Sequence, residues 1–349
     1  MRGTRARVSS GMLMEVNGSR IPGLGLGLAA LGRPGYINVT HGSDFADRSV
    51  GAMEAQAFAV LDAAFARGVR YFDAARSYGR AEAFLGAWLE SRKHAPGSVV
   101  VGSKWGYEYV AGWEVQLPPG APHEVKKHDV AQLRKQSAET REALGAHLGL
   151  YQIHSATQAS GVLGNAEVVA ELGRMKREWG WRMGLSVSGT EQGETLRAAL
   201  LVADPVSGGR LFDSCQATYN LLEPSAGPAL AEAHALGVEV IVKEGMANGR
   251  LLPGGTAEGA PSHGRNVALV AAAQELGCGV DALALACVMR APFAPMVLSG
   301  AASVAHAEAN CEAMNLAQRL DDALVERLFR ETAIDPKAYW DERSALAWQ

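Results

Sequence analysis

Several common signals are missing from this chain, and each absence closes off a class of function. Only four cysteines are present, Cys215, Cys278, Cys287 and Cys311. None falls in CxxC spacing and each sits in an apolar or helical context, so they read as reduced packing residues, not as a disulfide framework or a metal site. No apolar run reaches the roughly 18–20 residues that span a bilayer, so no membrane partner is expected. The net charge is only −4, with no basic stripe interleaved with aromatics, which argues against nucleic acid. Arg2, Arg5 and Arg7 stand near the start without an acid, but no apolar stretch follows, so a secretory signal is not expected. Residues 1–20 read as a floppy N-terminal arm, with Met12 or Met14 as alternative starts. The expectation is a cytoplasmic protein. Its 349 residues, 48% of them hydrophobic, suffice for a large core without staples.

What the chain does have is alternation. Short apolar runs recur at Gly23–Leu28, Arg70–Asp73, Ser98–Gly102, Leu150–His154, Arg182–Ser186, Ser214–Ala217, Val238–Val242 and Pro295–Leu298. Between them lie amphipathic stretches near 53–67, 79–92, 129–147, 165–179, 191–202, 226–236, 264–277 and 303–317. In the first, Met53, Ala57, Val60, Leu61, Ala64 and Phe65 share one face, and Gly68 stops the helix. Strand–helix alternation implies parallel pairing, and eight repeats favour a closed (β/α)8 TIM barrel over an open doubly wound sheet. One barrel domain over 1–349 is expected. Insertions at 29–51, 105–125 and 244–263 each follow a strand, which puts them on the active face. A tail over 321–349, with one helix and the aromatics Tyr339, Trp340 and Trp348, folds over that same end.

Four reactive side chains stand at the carboxyl ends of three successive candidate strands. Asp73 closes YFD, Tyr78 follows in AARSYG, Lys104 ends VVVGSK and His154 ends LYQIH. In a barrel those ends share one face, where catalytic groups gather. A phenol near pKa 10 is a poor acid or base at neutral pH, and an adjacent ammonium brings it toward the working range. An aspartate keeps the ammonium charged and oriented, while a histidine holds a substrate oxygen. Such a set suits carbonyl–alcohol interconversion with a hydride from a bound cofactor. Taken singly, each residue has a bland reading as a cap, a solvated lysine or a core histidine.

The order D-x4-Y-G-x2-E-x2-L-G (Asp73, Tyr78, Gly79, Glu82, Leu85, Gly86), then SKWG, then LYQIH, resembles the aldo-keto reductases from about Gly23 to Asn310. The resemblance implies a barrel that binds an extended nicotinamide cofactor, with Tyr78 as general acid/base, Lys104 and Asp73 tuning it and His154 orienting the carbonyl. It further implies that Ser186 in GLSVS and Gln216 in CQATYN contact the nicotinamide carboxamide, although Val187 replaces the asparagine common in the family. IVKEGMANGRL resembles the family's loop around the pyrophosphate, which assigns Lys243, Gly245, Met246, Gly249 and Leu251 to the cofactor. Lys243 stands where the family often stacks an aromatic, and its charge disfavours the oxidised nicotinamide. LSGAASVAHAEAN resembles the 2′-phosphate region, with Gly300, Ser303, His306 and Asn310 as contacts. Gly300 and Ala302 stand where lysine or arginine is usual, so a bidentate phosphate clamp is not evident. NADP(H) is the first choice of cofactor, with NAD(H) second.

Other signals carry less. GLGLGL (Gly23–Leu28) lacks the helix start that a dinucleotide-binding turn needs, and reads as a tightly packed first strand. Glu114, His123, Glu124 and His128 lie in an irregular polar loop and read as a solvated lid, not metal ligands. Trp179 and Trp181 read as packing at the opposite end. Trp105, directly after Lys104, is the expected wall of a substrate pocket. The leading reading is an NAD(P)H-dependent reductase or dehydrogenase acting on a small-molecule carbonyl, sugar or alcohol. Alternatives are a cofactor-binding regulatory protein on the same fold, or a barrel aldolase or isomerase with Lys104 as a Schiff-base amine. Nothing in the sequence fixes the oligomeric state.

Overall fold

The computed structural model describes residues 14–16, 18–39 and 43–349. Residues 1–13 of the expected arm, and 40–42 of the first insertion, lie outside them. The chain opens with β1 (Glu15–Val16) and β2 (Ser19–Arg20), then runs β3 (Leu24–Gly27), α1 (Val50–Ala66), β4 (Tyr71–Asp73), α2 (Ala81–Ser91) and β5 (Val100–Trp105). β6 (Tyr107–Tyr109), β7 (Glu124–Lys126), α3 (Val130–Leu144), β8 (Leu148–Ala156), α4 (Ala166–Trp179), β9 (Arg182–Val187) and α5 (Gln192–Leu200) follow. Next come β10 (Ser214–Thr218), α6 (Gly227–Ala235), β11 (Glu239–Lys243), α7 (Val267–Leu276), α8 (Val280–Met289) and β12 (Met296–Ser299). The chain ends with α9 (Val304–Ala317), α10 (Asp322–Thr332) and α11 (Pro336–Ser344).

Strands β3, β4, β5, β8, β9, β10, β11 and β12 close a parallel barrel in that order. All eight expected strands are present, and the (β/α)8 fold class holds. The helix read from periodicity is α1: Ser49 caps it, and Met53, Ala57, Val60, Leu61 and Ala64 are its buried face. Inside the barrel, room is made by strand glycines. A Cβ on Gly25 would come within 2.7 Å of the Tyr71 ring, and one on Gly102 within 2.6 Å of its hydroxyl. The phenol of Tyr71 thereby reaches up the barrel axis to Asp73.

Four features differ from the sequence reading. The described part of the arm is ordered against the core: β1 and β2 form a hairpin, and Met14 packs with Ile21, Tyr71, Val100, Leu150, Ile241 and Met296 in the barrel interior. Helix α8 was not expected because Ala282 to Val288 are all buried. A helix apolar all round shows no amphipathic stripe to read. The insertion 105–125 is no plain loop, since β6 pairs with β7 across its base. The tail holds two helices, not one, divided before Pro336, which starts α11. Among the described residues, no single helix is long and apolar enough to cross a membrane.

Candidate active site

Asp73 ends β4 inside the barrel and collects donors from three other strands and its own. Tyr71 donates its hydroxyl to Oδ2 at 2.8 Å, and the Gln152 and Gln216 amides donate to the same oxygen at 3.2 and 3.1 Å. The Lys104 ammonium donates to Oδ1, and also to the Ala74 carbonyl at 3.0 Å. Both members of this ion pair are almost fully buried. A dry ion pair is sustainable when its hydrogen-bonding capacity is largely met, and here Asp73 receives four donors while the ammonium uses two of its three N–H groups.

Tyr78 stands on the turn between β4 and α2. Arg76 N–H donates to the Lys104 carbonyl at 3.0 Å, and Tyr78 N–H to the Ala75 carbonyl at 3.0 Å. Glu82, one turn on, is buried and receives Arg76 at 2.6 Å, Ser103 at 2.5 Å and Thr140 at 2.7 Å. It thus fastens the Tyr78 turn to β5 and α3. The Lys104 ammonium lies 5.0 Å from the Tyr78 ring centroid, and the phenol oxygen lies 3.5 Å from His154 Nε2. The two rings meet edge to face at 5.4 Å.

His154 is not the end of its strand. β8 runs on to Ala156 and carries an irregularity between Ile153 and Ala156 against β9, with Ser155 in the left-handed region at φ 52°. An extra residue of this kind re-aims a side chain. Ser77 Oγ lies 3.3 Å from His154 Nδ1. With the Ser77 hydroxyl donating there, Nε2 carries the proton and faces the phenol.

Electrostatics set both protonation states. Burial first, then the Lys104, Arg33 and Lys243 cations, hold His154 well below its ordinary pKa, so the imidazole is neutral. Burial first, then the Asp73 carboxylate, push the Tyr78 phenol above its ordinary value, while Arg33 opposes them. An ammonium beside a phenol by itself lowers the phenol's pKa. Burial outweighs it, and the ammonium is engaged by Asp73.

Next to Tyr78 opens a cavity of about 180 Å³. Gln216, Lys243, Gly245, Met246, Gly249, Gly300, His306 and Asn310 all line it, as do Asp73 and Tyr78. Ser186, Leu251 and Ser303 do not. Ser186 is buried, with its hydroxyl accepting the Ser155 N–H at 2.8 Å. Leu251 is a core residue, and its neighbour Leu252 reaches the cavity instead. Ser303 caps α9, accepting the His306 N–H at 3.2 Å. Trp105 also departs from expectation. Side chains alternate along β5, so with Lys104 inside the barrel Trp105 points into the layer beneath the helices. There it is fully buried, 5.7 Å from the His128 ring, and forms no cavity wall.

Other residues at the site were not anticipated. Asn248, at φ 60°, lines the cavity with its side-chain oxygen buried and unpartnered; the Asn-Gly pair in MANGRL was its signal. Glu244 accepts the Arg343 guanidinium at 2.8 and 2.5 Å, Thr218 at 3.1 Å and Tyr339 at 3.3 Å, which bolts α11 over the mouth. The Arg343 and Lys243 cations hold Glu244 far below the usual carboxylate range against the cost of its burial. The tail therefore does cover the active end, and Gln349 N–H donates to the Tyr36 carbonyl at 3.0 Å. Glu114, His123, Glu124 and His128 do not converge: His123 stacks on Trp348 at 4.0 Å, Glu124 pairs with Arg33, and His128 meets the His154 carbonyl at 2.9 Å. Among the described residues no group of three such side chains is placed to hold a metal ion.

A barrel with this side-chain set at its carboxyl end defines a class, and the family comparison agrees. The sequence profile of the Aldo/keto reductase family matches residues 24–329, and the chain belongs to that family. It is an oxidoreductase. No curated protein sequence matches it. Among solved structures, the chain is similar to the holo form of an aldo-keto reductase from Bacillus halodurans, at 17% identity and TM-score 0.62, covering 94% of this chain and 98% of that one. It is also similar to an aldo/keto reductase from Klebsiella pneumoniae in complex with NADP and acetate, at 22% identity and TM-score 0.61, covering 90% and 92%. An aldo-keto reductase from Klebsiella pneumoniae in complex with NADPH gives 21% identity and TM-score 0.62, over 91% and 94%. At such identities the likeness speaks for the fold.

Proposed function

We propose that this protein interconverts an aldehyde, ketone or sugar carbonyl and the corresponding alcohol, with NADP(H) as its first cofactor and NAD(H) as its second. The observation that carries the reading is the convergence of Asp73, Lys104, Tyr78 and His154, of which Asp73 and Tyr78 line the cavity. The walls suit a dinucleotide. Glycines and backbone flank the middle, the Asn248 oxygen waits for a donor, and the α9 amino terminus with His306 and Asn310 stands at the far end. When bound, the reduced cofactor supplies a hydride to the carbonyl carbon.

The protein's own residues handle the oxygen. Neutral His154 donates from Nε2 and fixes its direction. Tyr78, kept protonated by burial, hands its proton to the oxygen as negative charge develops there. The Lys104 ammonium, anchored by Asp73, stands under the phenol and stabilises the phenolate left behind. Gln152 and Gln216 keep Asp73 in place.

The test begins with protein-fluorescence titrations using NADPH and NADH, followed by a panel of carbonyl compounds with the tighter binder. Tyr78→Phe should lower turnover about a thousandfold, as loss of a general acid does, with cofactor affinity within twofold of wild type, that is about 0.4 kcal/mol. Full activity in that variant would remove Tyr78 from the mechanism.

A further inference from the structure

Loops from three parts of the chain meet on one buried cation that the chemistry above does not use. Arg33, in the first insertion, is only 3% exposed. Its guanidinium donates to the Ser77 carbonyl at 2.9 Å and to Glu124 of β7 at 2.9 Å. It lies 5.2 Å from the Tyr78 ring centroid, 5.0 Å from that of Tyr36 and 4.6 Å from that of Trp348 in the tail. One residue earlier, the Gly32 carbonyl accepts the Arg80 N–H at 2.7 Å. The insertion thus grips the Tyr78 turn on both sides, at Ser77 and at Arg80.

The two charges of the Arg33–Glu124 pair are not equivalent toward the phenol. The guanidinium side chain is 3% exposed, whereas the Glu124 side chain is 26% exposed. Water screens the carboxylate more than the cation, so the pair presents its dry positive end to Tyr78. The other charged and titratable groups facing Tyr78 are Asp73, Lys104 and Tyr71 from the barrel, His154 from β8, Glu244 after β11 and Tyr36 from the insertion. Asp73, Glu124 and Glu244 oppose ionisation of the phenol, and among the named influences Arg33 favours it.

We propose that Arg33 is a positioning residue for the reaction, pinning the Tyr78 turn through Ser77 and holding a dry positive charge against the phenol as its proton leaves. This rests on the carbonyl–alcohol function proposed above. A purely structural arginine would affect folding and overall rate, but it would not move the pH dependence of the reaction. A charge acting on the phenol moves it, and the two partners of the ion pair move it in opposite directions.

The experiment is the pH profile of kcat for alcohol oxidation in wild type, Arg33→Met, Arg33→Lys and Glu124→Gln. Arg33→Met should displace the profile upward by about one pH unit, and Glu124→Gln downward by about half a unit. Arg33→Lys, which keeps the charge, should stay within about 0.3 unit of wild type. If Arg33→Met does not fold, the downward displacement in Glu124→Gln carries the test. Unmoved profiles, or displacement in the same direction in both charge variants, would overturn the inference while leaving the function intact. A wild-type protein with no carbonyl or alcohol turnover would overturn the function, and the inference with it.

Discussion

At the end of the cavity that holds Tyr78, charges come in pairs with at least one buried member: Asp73 with Lys104, Glu244 with Arg343, Arg33 with Glu124. The end formed by Gly300, His306 and Asn310 is different. Its lining is backbone, amide and small side chains, with the Asp44 carboxylate 3.9 Å from His306. Among the described residues no lysine or arginine lines that end. The difference fits what the proposed function asks of each end. Proton transfer needs charges fixed in a dry place, where their influence on a reacting oxygen is strong. Holding a long cofactor needs many modest contacts, which backbone amides and a helix terminus provide.

The comparison breaks most visibly at Asp73. Asp73→Asn leaves the Lys104 ammonium buried without its counter-charge, at a cost of about 3–5 kcal/mol. Urea unfolding should report that loss, and kcat should fall by about a hundredfold through the mispositioned lysine. Adding Lys104→Met to Asp73→Asn should recover part of the stability but none of the activity. A double variant less stable than Asp73→Asn alone would mean that the pair is not the reason for the loss.

Lys243 stands between the two regimes. It lines the cavity and donates to Thr218 at 2.7 Å. Its pKa is pushed down to about 8, by burial first and then by Arg343 and Lys104, against the pull of Glu244. The folded-state value lies below the unfolded one, so between about pH 8 and 10.5 the unfolded chain binds more protons. This group's contribution to stability therefore improves as pH rises through that window and worsens as pH falls through it. The same loss of charge removes a cation from the cavity wall where the proposed function puts the nicotinamide. From pH 7 to pH 9 the Kd for oxidised cofactor should fall about threefold, and that for reduced cofactor should stay constant. In Lys243→Met both should be flat across the range. Equal pH dependence for both cofactor forms in wild type would separate Lys243 from the nicotinamide.

The residues legible in the sequence were those whose chemistry conflicts with their surroundings. Asp73, Lys104 and His154 interrupt apolar runs, and in the structure they lie at, one residue before and two residues before the ends of their strands. Trp105 misled because a loop was assumed to begin at once, whereas β5 continues and its alternation turns the indole away from the cavity. Helix α8 was hidden by being apolar on every face. Ser186 matches its motif in type, but it does not line the cavity, and its hydroxyl oxygen accepts the Ser155 N–H. Arg33 gave no signal at all. Its partners Ser77 and Glu124 lie 44 and 91 positions away, and only closure of the barrel brings them together.

The smallest expected effect concerns the charge-poor end. Asp44 lines the cavity there, and burial, opposed by His306, raises its pKa. Where ionised, the carboxylate repels a 2′-phosphate, and among the described residues no guanidinium lines the cavity to offset it. Asp44→Asn keeps the shape and removes the charge. NADPH should then bind about threefold tighter at pH 8, while NADH, which has no 2′-phosphate, stays within about twofold. Fluorescence titrations of both cofactors at pH 8, in wild type and in the variant, read out the four values. Equal gains for NADPH and NADH would show that Asp44 acts on the adenosine half in general and not on its phosphate.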